Sequence, residues 1–68
     1  MANYYVNRTA QPNGDHEVHD DGCYWLSIAV SKTYLGYYGS CDGAVAEAKK
    51  TYATANGCAT CCTKCHTG

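Results

Sequence analysis

The side chains in this sequence with the most distinctive chemistry are six cysteines and three histidines, and their spacing favours a metal ion. His19-x3-Cys23 forms one close pair, with Gly22 supplying a tight turn that can fold both side chains the same way. The tail carries Cys58-x2-Cys61 and then Cys62-x2-Cys65. Zinc takes four nitrogen or sulfur donors in a tetrahedron, commonly as two close pairs from distant parts of a chain. A C-x2-C step brings two sulfurs to one ion while backbone N–H groups donate to them. The expected ligands are His19, Cys23, Cys58 and Cys61, with Cys62 and Cys65 as the alternative second pair. Cys41, Cys62 and Cys65 are otherwise available to further metal or to disulfides. Six is also an even number, so a fully disulfide-bonded chain is the competing reading, and spacing alone does not select its pairing.

The remaining histidines carry less. His16-Glu17-Val18-His19 has i, i+3 spacing, not the i, i+4 helical spacing of zinc proteases. On a strand, His16 shares a face with Val18 and Glu17 with His19. His16 is therefore expected at the surface, away from any metal that His19 holds. His66 reads as a frayed end or as a ligand of a second site. Ser27, Ser31 and Ser40 lie in no nucleophile elbow, and no glycine-rich phosphate loop precedes a helix. Four protein ligands leave a metal no open position for water, so a structural site without enzymatic activity is expected.

These residues need elements to position them. Tyr4-Tyr5-Val6-Asn7 predicts a strand, Gln11 to Asp15 a turn, and His16 to His19 the returning strand. Trp25 to Val30 is the most apolar stretch, compatible with a short helix or a packed loop. Tyr34 to Tyr38 predicts a third strand. A helix is expected from Gly43 to about Tyr52, capped by Ser40 or Asp42, with Val45, Ala48 and Tyr52 on one face. Asn56-Gly57 is expected to stop it. The predicted fold is α+β: one domain over 1–68, a small antiparallel sheet of about three strands, one helix, and a C-terminal cysteine knuckle stapled by zinc or disulfides.

Composition narrows the function. A chain this short buries about 60% of its unfolded surface, so packing alone leaves it marginal and a staple is needed. Five Lys plus Arg against six Asp plus Glu leave a formal net charge of −1, with no basic stripe for nucleic acid. No apolar run has the length of a membrane span. The first residues show no basic and apolar signal pattern, which predicts a cytoplasmic protein, where clustered cysteines more often bind metal. An extracellular location is expected instead if the cysteines form disulfides.

A strand ending in His19-x3-Cys23, a further strand over Tyr34–Tyr38, a small-residue helix over Ala44–Ala48 and a C-terminal C-x2-C resemble the Ada-type metal-binding domain. That small zinc module occurs in a DNA-repair methyltransferase and in short bacterial proteins. The resemblance covers nearly the whole chain, at the level of layout. It implies zinc held by His19, Cys23 and one C-terminal knuckle. The chain departs from the pattern in having two knuckles and the additional Cys41. It also lacks the basic DNA-contacting surface, so methyl transfer is not carried over.

The expected function is a structural zinc module that presents a surface to a protein partner. The alternatives are an exported, disulfide-stapled effector or toxin-like protein and a metal-dependent nuclease or transferase. For the partner surface, strand alternation turns Tyr4 and Tyr37 inward and leaves Tyr5, Tyr34 and Tyr38 on the solvent side, a face expected to lie away from the metal. Rigid amphipathic rings of this kind are favoured at recognition surfaces.

Overall fold

The computed structural model describes residues 1–67. Strand β1 spans Ala2–Asn7 and β2 spans His16–Asp20. A single helical turn, α1, covers Tyr24–Ser27, followed by β3 at Lys32–Tyr38, helix α2 at Cys41–Ala48, β4 at Ala55–Gly57 and a 3-10 turn at Thr63–Cys65. The strands lie in the order β3-β1-β2-β4. β1 runs antiparallel to β2 and β3, while β2 and β4 are parallel. The sheet therefore has four strands and is mixed, where the sequence predicted about three antiparallel ones.

The fourth strand was hidden because Ala55-Asn56-Gly57 has the composition of a turn. Its pairing with His16, Glu17 and Val18 comes from tertiary context. Gly57 has a second role here. A Cβ built on it would lie 2.7 Å from the Cys65 Cβ and 2.9 Å from the Cys62 carbonyl oxygen. Only a residue without a side chain lets the tail fold back over β4.

The β1–β2 connection contains the expected turn. The Gly14 N–H donates to the Gln11 carbonyl at 2.7 Å, and the Asp15 N–H to Asn13 Oδ1 at 2.9 Å. Gly14 takes φ +91°, a conformation that favours glycine. Helix α2 begins two residues earlier than predicted and ends at Ala48, not Tyr52. Ala44 and Ala48, one turn apart and both buried, let it settle closely on the sheet face carrying Tyr4, Val6 and Val18. The apolar stretch from Trp25 to Val30 contributes only Leu26 to the core; Trp25, Ile28 and Val30 are exposed.

Of the eleven buried apolar residues among those described, four are Cys23, Cys41, Cys58 and Cys62, so sulfur fills much of the interior. The largest fully buried side chain is His19. A thin core with an imidazole at its largest position needs polar partners for that ring.

One expectation about the tyrosines is corrected by a bulge. Tyr4 pairs with Gly36 but Tyr5 pairs with Tyr34, which leaves Leu35 as an extra residue in β3. Gly36 takes φ +139° there. An extra residue reverses the alternation beyond it. Tyr38 therefore turns inward, its ring centroid 6.3 Å from that of Tyr4, and Tyr37 turns outward. Tyr5 and Tyr34 stay together on the other face at 5.3 Å, as alternation predicts. Tyr5 pairs directly with His19, however, so that face is shared with the expected ligand and does not lie away from it.

Candidate metal centre

His19 pairs with Tyr5 across the β1–β2 ladder and thus projects to the face opposite Val18. After β2 the chain turns sharply: the Gly22 N–H donates to Asp20 Oδ1 at 3.0 Å and the Cys23 N–H to the Asp20 carbonyl at 3.2 Å. The turn returns Cys23 beside the ring, with Sγ 3.5 Å from His19 Nδ1. Cys58 follows β4 directly, and its N–H donates to the Val18 carbonyl at 3.0 Å, continuing the parallel pairing by one bond. That register places Cys58 Sγ 3.9 Å from Cys23 Sγ. The Cys62 N–H bonds the Cys58 carbonyl at 2.8 Å, closing a turn that sets Cys61 Sγ 3.9 Å from His19 Nδ1. The Thr60 N–H points at Cys58 Sγ at 3.4 Å.

One ligand atom from each of His19, Cys23, Cys58 and Cys61 lies within 4.8 Å of the other three, and all but Cys61 are buried. This cluster can hold a metal ion.

The electrostatics of the cluster fit that use. Burial lowers the His19 pKa, against the opposing pull of the Glu17 and Asp20 carboxylates. The shift favours the neutral form of the ring, the form that ligates. Its Nε2 faces Glu17 Oε1 at 3.6 Å while Nδ1 faces the sulfurs. A carboxylate behind a histidine orients the ring and assigns its proton to the outer nitrogen. Burial raises the Cys61 and Cys62 thiols above their ordinary range. A cation in the centre would reverse this for the sulfurs that touch it.

The other sulfurs are disposed differently. Cys41 and Cys65 form a disulfide, which joins the start of α2 to the 3-10 turn. This dismantles the alternative knuckle, because Cys65 is spent on Cys41. Cys62 is a buried free thiol, 3.8 Å from Cys61 Sγ and outside the four-residue cluster. Among the described residues Cys23, Cys58, Cys61 and Cys62 carry free thiols. Asp42 lies beside the disulfide, but both of its sulfur neighbours there are already bonded to each other. His66 Nδ1 sits 3.0 Å from the Gly57 carbonyl, and His16 stacks on Tyr52 at 3.9 Å between centroids.

Sequence reasoning missed two features of the site. The alternation that puts Glu17 on the face of His19 was legible, but the carboxylate–imidazole contact it sets up was not drawn from it. The Trp25 indole N–H donates to Thr60 Oγ1 at 3.0 Å, fastening α1 to the tail, and nothing in the local sequence announces it. Comparison with protein-family models, curated proteins and solved structures finds no match.

Proposed function

We propose that this chain is a structural zinc module, with zinc held by His19, Cys23, Cys58 and Cys61, that displays a surface to a protein partner. The observation that carries the reading is the convergence of one imidazole nitrogen and three sulfurs in a cluster assembled from two distant segments. Three soft sulfur donors with one nitrogen suit zinc better than calcium or magnesium, which prefer oxygen. Zinc–sulfur and zinc–nitrogen bonds of about 2.3 and 2.1 Å place tetrahedral ligands roughly 3.5–3.8 Å apart. The Cys23–His19, Cys23–Cys58 and Cys61–His19 contacts of 3.5, 3.9 and 3.9 Å are close to those edges.

The four ligands follow the order implied by the Ada-type resemblance, which supports the same reading. A nuclease or transferase would need an open coordination position, and a closed four-ligand set supplies none. The proposed partner face carries Tyr5, Tyr34 and Tyr37, with Tyr38 removed from it by the β3 bulge. The Cys41–Cys65 bond favours a second reading, an exported protein of effector or toxin-like kind, because disulfides persist in oxidising compartments.

Native mass spectrometry before and after chelation tests the assignment. The expected protein holds one zinc before chelation and, once the metal is removed, weighs two hydrogens less than the fully reduced chain. A metal-free species lighter by six hydrogens overturns it.

A further inference from the structure

Beside the metal cluster lies a cleft of about 280 Å³, lined by Gln11, Glu17, Trp25, Cys58, Ala59 and Thr60. Its size is near the lower end of ligand sites, suited to one side chain more than to a cofactor. No lysine or arginine lines it. Glu17 offers a carboxylate whose Oε1 faces His19, which leaves Oε2 for a guest. Zinc with three thiolates and a neutral imidazole carries a net charge of −1, and Cys58 brings that charge to the wall. The same cleft has an aromatic lining residue. Trp25 is 47% exposed, yet its indole is held by the Thr60 hydroxyl and braced edge-on by Tyr24 at 5.3 Å.

We infer that this cleft receives an arginine side chain from a protein partner. A planar guanidinium can stack on the fixed indole while donating to the Glu17 carboxylate and to the Gln11 amide oxygen. Lysine lacks the planar face, and an anion would meet two negative charges. The inference deepens the zinc-module reading by naming the chemistry of the partner, and part of the charge argument rests on that reading.

Trp25 is the sole tryptophan, so its fluorescence reports the cleft directly. The experiment titrates the whole protein with N-acetyl-arginine amide and, in parallel, with the neutral isostere N-acetyl-citrulline amide. Native mass spectrometry counts metal in the same samples. The expected result is a saturable change with arginine only, weakened at high salt. Gln11→Lys, which places an ammonium in the cleft without touching His19, should abolish it, and Glu17→Gln should weaken it by about tenfold. An equal response to citrulline, no saturable response to arginine, or an undiminished response in Gln11→Lys overturns the cleft. The metal count judges zinc separately, so a metal-free protein that still responds to arginine overturns the zinc reading and leaves the cleft standing.

Discussion

At the scale of single residues, His19 joins the sheet to the proposed metal. Burial depresses its pKa in the folded chain, so the unfolded state takes up a proton that the folded state refuses. A depressed group contributes stability above its unfolded pKa, about 6.5 for histidine, and that contribution is lost as pH falls towards the folded value. Urea melts between pH 7.5 and pH 5 should therefore show stability falling below about pH 6.5, in the direction that also releases metal. A flat or rising profile would refute this account of the ring. Glu17→Gln removes the carboxylate behind Nε2 and should weaken metal binding by about 10–100-fold, read by competition with a chromophoric chelator. The neighbouring thiols Cys61 and Cys62 should separate cleanly. Cys61→Ala should lose metal while Cys62→Ala retains it, and equal loss in both would place Cys62 among the ligands.

At the scale of elements, the decisive pieces are the shortest ones. Three residues of β4 carry the tail to Val18 and set Cys58 beside Cys23. Gly57→Ala puts a Cβ into Cys65 and the Cys62 backbone, and overpacking of that kind should cost about 1–3 kcal/mol with a parallel loss of metal affinity. Gly39→Ala is the matched control, since its added Cβ meets nothing within 4 Å and should change stability by less than about 0.5 kcal/mol. Thermal melts of the two variants with and without chelator compare them. Indistinguishable melts would mean that the tail can shift away from β4 at little cost. The β3 bulge works in the same local way: one extra residue exchanges Tyr37 and Tyr38 between faces.

At the scale of the whole molecule, the disulfide and the proposed zinc would divide the work of a thin core. The disulfide ties the tail to α2 across a sequence separation of 24 residues. Loop-closure entropy for that span gives about 3.5 kcal/mol. Zinc binding by a structural site can contribute roughly 10–16 kcal/mol. Cys65→Ser should thus lower the melting temperature yet leave a cooperative, metal-bound fold, whereas Cys23→Ser or chelation should abolish the transition, as followed by circular dichroism. A cooperative transition unchanged by Cys23→Ser would show that the interior stands without the metal.

What the sequence alone determined is what spacing and local backbone chemistry can encode. The H-x3-C pair, the C-x2-C step, the β1–β2 turn at Asn13-Gly14 and the opposite facing of His16 and His19 all follow from neighbours a few residues apart. The choice among six sulfurs could not follow that way. Cys58 and Cys61 join His19 because a parallel strand of turn-like composition pairs with β2, and Cys65 is withdrawn to Cys41 because α2 starts where the tail passes. The bulge at Leu35 and the Trp25–Thr60 bond likewise depend on contacts between distant segments. In a chain that buries so few large side chains, such long-range contacts outweigh local propensity, so only the tertiary structure decided which cysteines could share an ion.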